Sequence, residues 1–147
     1  MLRTRSGMAV HRKGDDVRWI VKAIRKNKVY GTLIDLDAGK DGTFVPFFGR
    51  QASTVSTIAR IARRTGAAVL PLDNYRVKSR RKLRVRIREE VEVDCTDDAE
   101  LDIINTTRRC NEALEVTIRQ HPGQWLWTHR RWRSGDKKTL QEEQQQV

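Results

Sequence analysis

The chain has 147 residues, and its 30 lysines and arginines against 19 aspartates and glutamates leave a net charge of +11. That length supports one domain with a real core and excludes two independent enzyme domains flanking a cleft. With 37% hydrophobic and 33% charged residues the chain is neither a disordered polyelectrolyte nor a membrane bundle, and its longest apolar run, Ala67 to Leu72, falls far short of the roughly 18 residues a spanning helix requires. The charge leaves three partner classes open: nucleic acid, an anionic bilayer with phosphorylated lipid, or an acidic protein.

The basic start, Met1 to Ser6, has no apolar stretch behind it and does not read as a secretory signal. After Gly14-Asp15-Asp16, apolar Val17, Ile20, Val21 and Ile24 recur at helical spacing, with Arg18, Lys22, Arg25 and Lys26 outside, which predicts a helix with acids at its positive end. Val29 to Ile34 is a continuous β-prone run that predicts a buried strand, with Asp35 and Asp37 at its carboxyl end and a turn over Ala38 to Gly42. Ligands of open α/β sheets sit at that end, which gives the two acids functional weight.

Phe44 to Phe48 is a short apolar segment broken by Pro46, and Gly49 leads into a predicted helix from Ser53 to Thr65. Its inner stripe is Val55, Ile58, Ile61 and Ala62, and Gly66 is a natural stop. Ala67 to Pro71 reads as a second buried strand, completing a βαβ-like unit. Lys82 to Arg88 alternates strictly: Leu83, Val85 and Ile87 form the face expected to pack, and Arg84, Arg86 and Arg88 a cationic strip expected to face solvent. Lys78, Arg80 and Arg81 extend that strip. Thr96, Asp97 and Asp98 can cap a long helix reaching Gln120, with Ile103, Thr107, Cys110, Leu114 and Ile118 inside, and His121-Pro122-Gly123 ends it. Residues 1–133 are therefore read as folded, and the polar stretch 134–147 as a disordered tail. Cys95 and Cys110 fit reduced thiols.

The segment from Gln124 to Arg133 holds three of the four tryptophans beside three arginines. Trp offers a large apolar body with an N–H donor, and Arg a planar fork for phosphate or carboxylate, so together they suit an amphipathic anion. Closure of the core beneath the long helix explains the tryptophans equally well. No CxxC pair, histidine cluster or carboxylate cage suggests a metal, and no glycine-rich phosphate loop suggests a nucleotide, so no cofactor is expected.

Pro122-Gly123-Gln124-Trp125-Leu126-Trp127-Thr128-His129-Arg130-Arg131-Trp132 closely resembles the C-terminal signature of the lipid A biosynthesis lauroyl/myristoyl acyltransferases, part of the lysophospholipid-acyltransferase-like superfamily. Gly123 stands where that signature usually has Glu. Asp35-Leu36-Asp37, Gly42 to Gly49, Thr54, Ala59 and Gly66 to Pro71 recur in the family's order and spacing, so the resemblance runs from about Leu2 to Arg133.

The resemblance implies an α/β fold, the C-terminal part of a glycerolipid-acyltransferase-like mixed sheet flanked by helices. It implies transfer of a fatty acyl chain from acyl carrier protein to a hydroxyl of a phosphorylated lipid A precursor, at the cytoplasmic face of the bacterial inner membrane. The family's chemistry uses a His-x-x-x-x-acid motif, in which His is the general base for the acceptor hydroxyl. That motif precedes an Arg-x-Arg-x-Gly stretch, which here is Arg3-Thr4-Arg5-Ser6-Gly7. The expectation is thus a truncated chain without the catalytic dyad and membrane anchor. His11 and Asp16 have the motif's spacing but follow Arg3 and Arg5, so a loop histidine and a helix cap compete with a catalytic role.

By resemblance, Arg3, Arg5, Asp35 and Asp37 support the active site, against an ordinary salt bridge or turn cap. Phe47 and Phe48 line an acyl channel or pack the core, and His129, Arg130 and Arg131 meet substrate. The basic strip is a solvated face, or it meets anionic head groups or carrier protein. A small basic module binding nucleic acid or anionic lipid is the alternative, and the ordered motifs favour the acyltransferase over nucleic acid.

Overall fold

The computed structural model describes residues 17–77 and 82–145, together with Gly7 and Ala9. Arg3, Arg5, His11, Asp16, Lys78, Arg80 and Arg81 lie outside the described residues. The chain divides into two compact units, residues 1–30 and 31–147.

In the first unit the amphipathic spacing yields helix α1, Arg18–Ile24, with Ile20 buried. Asn27, at φ 55°, reverses the chain, and Trp19 meets Tyr30 edge-on at 5.7 Å between ring centroids.

The second unit is built on two antiparallel hairpins and two long helices. Strands β1, Thr43–Phe47, and β2, Arg50–Thr54, pair with Phe47 opposite Arg50, leaving the two-residue turn Phe48-Gly49. Both turn residues have positive φ, 50° and 76°, the geometry that matches the twist of a tight hairpin. A bulky aromatic is costly there. It is fixed from outside: the Phe48 N–H donates to Glu115 Oε1 at 2.7 Å, and Arg119, itself paired with Glu115 at 2.8 Å, lies over the Phe48 ring. Helix α2, Thr57–Thr65, ends at Gly66 in the left-handed region, as its sequence indicates. Strands β3, Leu72–Arg76, and β4, Leu83–Ile87, form the second hairpin, and only the bridge Val69–Val91 continues it.

Helix α3, Ala99–Gln120, is capped by Asp98, whose side chain accepts from the Leu101 N–H. It buries Ile103, Thr107, Cys110 and Ile118 of the expected stripe, leaves Leu114 half-buried, and adds Asp102, Thr106 and Asn111. Asp102 is held by Arg63 at 2.7 Å and by Thr96, which ties α2 to the start of α3. Ala62, Val69, Val91 and Cys110 form one core cluster; Phe47, Ala52 and Ile118 form another, with Phe48, Leu114, Trp125 and Trp132 around it.

The mixed α/β class holds, with four larger expectations corrected and two smaller ones: the helix expected from Ser53 starts at Thr57 because Ser53 and Thr54 end β2, and Ala67 to Pro71 carries an isolated bridge at Val69 in place of a strand. Val29 to Ile34 is not a strand: no described strand pairs with it, and Val29 is 97% and Leu33 70% exposed. A β-prone run without a neighbour has nowhere to place its backbone hydrogen bonds except water. There is no βαβ unit among the described residues, since β2 and β3 lie in different hairpins. The stretch beyond Ser134 is helix α4, Arg133–Gln145, over most of its length. Its Lys, Leu, Gln and Glu residues favour helix, and its first turn packs so closely on β2 that a Cβ on Gly135 would collide with the Gln51 carbonyl. The fourth correction concerns β4. Leu83, Val85 and Ile87 are 60%, 62% and 64% exposed, while Arg86 and Arg88 turn inward.

Candidate functional site

The end segment closes over β1–β2 and clamps the Asp35–Asp37 loop beneath it. Its entry is fixed by Gln124, whose side-chain amide bonds both the N–H and the carbonyl of Arg76 on β3, at 2.7 and 3.1 Å. His121 stacks on Tyr75 at 4.0 Å. The Trp127 Nε1–H donates to the Pro122 carbonyl at 2.7 Å, and the Trp132 Nε1–H to the Phe47 carbonyl at 3.0 Å. Trp125, Trp132 and Phe47 pack as one aromatic cluster, with centroids 5.8 Å apart from Phe47 to each tryptophan. Trp125 and Trp132 therefore help close the core, while Trp127 is 54% exposed, and the indole N–H groups of Trp127 and Trp132 each secure a backbone carbonyl.

Arg131 is the centre. It is 0% exposed, yet carries a charge. Its Nη1 donates to the Ser53 carbonyl at 2.5 Å and its Nη2 to Thr54 Oγ1 at 2.6 Å, with Asn111 Oδ1 at 3.4 Å, while the guanidinium lies over the Phe47 ring. Asn111 in turn donates to the Pro46 carbonyl and to Thr54 Oγ1. Burial pulls the Arg131 pKa below its ordinary value, and the charges of Asp37 and Asp35 oppose that pull. The two carboxylates thus supply the countercharge that an enclosed cation needs.

His129 Nε2 accepts the Asp37 backbone N–H at 2.8 Å, and the Ser134 hydroxyl donates to Asp37 Oδ2 at 2.8 Å. The Ser53 carbonyl also accepts the Ala38 N–H at 3.1 Å, so loop and β2 are laced together on both sides of Asp37. Asp35 Oδ1 and Asp37 Oδ1 are enclosed without a hydrogen-bond partner among the described residues. Buried carboxylate oxygens in that state are strong acceptors for an N–H or O–H brought to them.

The structure therefore brings Asp35, Asp37, His129 and Arg131 into one knot. Phe47 is fully enclosed in the aromatic cluster, and Phe48 sits at its rim. Arg130 faces solvent on the outer side of Trp132, in an open cleft with Arg50, Arg133 and Asp136. Sequence reasoning missed Asn111, Ser134 and Gln124. A polar residue one turn beyond Thr107 on the inner stripe was the available sign of Asn111.

The second charged cluster corrects the cationic strip. Arg86 Nη2 and Arg88 Nε reach Asp73 Oδ2 at 3.0 and 2.8 Å, and the Thr117 hydroxyl of α3 donates to the same oxygen at 2.9 Å. Burial would raise the Asp73 pKa, but the bonds from Arg86, Arg88 and Thr117 outweigh it and hold the carboxyl below its ordinary value. Arg86 and Arg88 thus secure the hairpin to α3. Among the described residues no group of three metal-ligating side chains occurs, and no helix is long and apolar enough to cross a membrane.

Residues 1–134 match the family model described as bacterial lipid A biosynthesis acyltransferase. The chain is 27% identical over 127 residues to the lipid A biosynthesis myristoyltransferase of Escherichia coli (strain K12), covering 86% of this chain and 38% of that protein. It is 30% identical over 122 residues to the palmitoleoyltransferase of the same organism, covering 82% and 38%. Against the lauroyltransferase it is 29% identical over 124 residues, covering 81% and 38%. The chain thus spans 38% of the length of these curated relatives. With the family model matched over nearly all of its length, the chain belongs to the bacterial lipid A biosynthesis acyltransferases.

Proposed function

We propose that this chain supplies the supporting half of an acyltransferase centre that moves a fatty acyl group from acyl carrier protein to a hydroxyl of a phosphorylated lipid A precursor, at the cytoplasmic face of the inner membrane. The observation that carries this reading is the Asp37–His129 hydrogen bond above the buried Arg131. It joins the two most family-like motifs of the sequence, 92 residues apart, into one rigid unit. In this reading Asp35 and Asp37 offer their free oxygens to the catalytic loop, Arg131 braces them electrostatically, and His129 sets the backbone of Asp37. Arg130 meets substrate from the open side, and Phe47 and Phe48 form the apolar wall toward the acyl chain. The resemblance alone assigns Arg3 and Arg5 to active-site support, and both lie outside the described residues. A preorganised shell of this kind holds a general base and its partner within the small tolerances acyl transfer demands.

In this reading the spacing of His11 and Asp16 is coincidental, and neither carries the general-base role. An acyl-transfer assay with acyl carrier protein as donor and a lipid A precursor as acceptor tests this directly. The 147-residue chain is expected to bind the precursor without turnover. Turnover that disappears in His11→Ala would assign the base to His11 and overturn the supporting role. Tight, salt-sensitive binding of an oligonucleotide with no response to the precursor would overturn the lipid A reading altogether.

A further inference from the structure

Beside the Arg131 knot lies an open cleft of about 330 Å³, lined by Arg50, Arg130, Trp132, Arg133 and Asp136. Three arginines and one tryptophan share its lining. Arg50, from the start of β2, lies over the Trp132 ring at 5.1 Å and gives one N–H to Asp136 at 2.8 Å. The side chains of Arg130 and Arg133 are exposed and have no hydrogen-bond or ion-pair partner among the described residues. The cleft therefore holds three positive charges against one negative, with the Arg130 and Arg133 donors open to solvent and to a ligand from it.

We infer that this cleft is a binding site for a phosphate ester, with the Arg50, Arg130 and Arg133 guanidiniums taking the phosphate oxygens and Trp132 forming the apolar wall for the ester's organic part. Separate planar forks approaching one point from several sides suit a tetrahedral dianion, whereas a planar carboxylate is satisfied by a single fork. The indole behind them supports stacked guanidinium and excludes water from one side of the anion. Trp132 is itself immobilised through its bond to the Phe47 carbonyl, so the wall is preformed. Asp136 holds Arg50 across the cleft while it is empty, and an arriving phosphate competes with it for that guanidinium. The inference rests on the proposed reading, in which Arg130 meets a phosphorylated substrate, and its test reads phosphate binding without acyl transfer.

The test is a titration of the intact, ¹⁵N-labelled chain with inorganic phosphate and pyrophosphate, following the Trp132 indole N–H, with sodium chloride at matched ionic strength as control. A saturable shift that chloride does not reproduce is expected. The Arg50→Gln, Arg130→Gln, Arg133→Gln triple variant is expected to lose at least about tenfold in affinity. A control triple at exposed positions away from the cleft, Arg60→Gln, Arg64→Gln, Arg108→Gln, removes the same net charge and is expected to stay within about twofold. Asp136→Asn is expected to bind more tightly, because it frees Arg50 and removes a repelling charge; a merely structural role for the cluster would not produce a gain. Equal shifts in chloride, equal losses in both triples, or no loss in the cleft triple would overturn the site. Vesicles of phosphatidic acid in phosphatidylcholine, compared with pure phosphatidylcholine, then identify the source. Capture that pyrophosphate competes away assigns the site to lipid-borne phosphate, and its absence beside phosphate binding assigns it to a soluble phosphoester.

Discussion

The Arg131 knot and the β3–β4 hairpin use the same ingredients, arginine alternating with apolar or β-prone residues beside an acid, and arrange them oppositely. At the knot both kinds of side chain go inward: Arg131 is enclosed with Phe47, Ala52 and the tryptophans around it. At the hairpin the arginines go inward to Asp73 and the leucine, valine and isoleucine go outward. Strict alternation defines two faces of a strand, but the choice of inner face belongs to whatever lies beneath. Under β4 that is Asp73 with Thr117 of α3, a site that rewards cations. The knot is therefore a closed unit, whereas the hairpin is anchored through charge and leaves its apolar face uncovered.

The largest expected effect falls on the closed unit. Arg131→Met removes the donors to Ser53 and Thr54 and leaves Asp35 and Asp37 without their buried countercharge. Losing two short charge-assisted hydrogen bonds inside the core costs about 3–6 kcal/mol together. The urea midpoint should fall accordingly. Arg131→Lys keeps the charge but not the fork, so it should recover only part of that loss.

Asp73→Asn is next, at about 1.5–3 kcal/mol, because the charged acceptor of two arginines and one threonine becomes neutral. Its pH signature distinguishes it from a packing defect. The folded carboxyl lies below its ordinary value, so the unfolded chain binds the proton first on acidification and stability drops as pH falls below about 4. Above that the contribution is fully present. Stability measured between neutral and acid pH should flatten in Asp73→Asn.

Helix α3 serves both regions, giving Asn111 to the knot and Thr117 to the hairpin, and Cys110, buried next to Asn111 in the chain, reports on it. Burial pushes the Cys110 thiol up to about 11, while Cys95 is exposed. A thiol reagent at neutral pH should modify Cys95 rapidly and Cys110 only through opening of the fold. The second rate should rise in Arg131→Met much more than in Asp73→Asn.

What was legible in the sequence follows the same division. Helix α3 announced itself through the Asp98 cap and an inner stripe that the structure buries, and Gly66 ended α2 where expected. These signals are local. Val29 to Ile34, β4 and the last helix were misread because their state depends on neighbours: a strand partner that is absent, an acid under the hairpin, and a docking surface on β2 for Gly135. In the candidate site, Asp35, Asp37, His129 and Arg131 stood out through residue type and motif order. Asn111, Ser134 and Gln124 did not, since each acts through one hydrogen bond or a pair made across the fold.

The smallest effect on stability is expected where the apolar residues are most exposed. Val85→Thr with Ile87→Thr retains β-branching on β4, keeps the inward arginines untouched, and removes side-chain surface that is already mostly in water. The unfolding free energy should change by no more than about 0.5 kcal/mol. The same pair, with Leu72 and Leu83, forms one continuous apolar face, because Leu72 lies opposite Ile87 and the two strands run in register. Exposed faces of this kind draw copies of a protein together. Sedimentation at rising concentration should therefore show less association in the double variant than in the parent chain, while the denaturation curves superimpose. A stability loss comparable to that of Asp73→Asn would mean that the hairpin's outer face is packed in solution, and the contrast between a closed knot and an open hairpin would collapse.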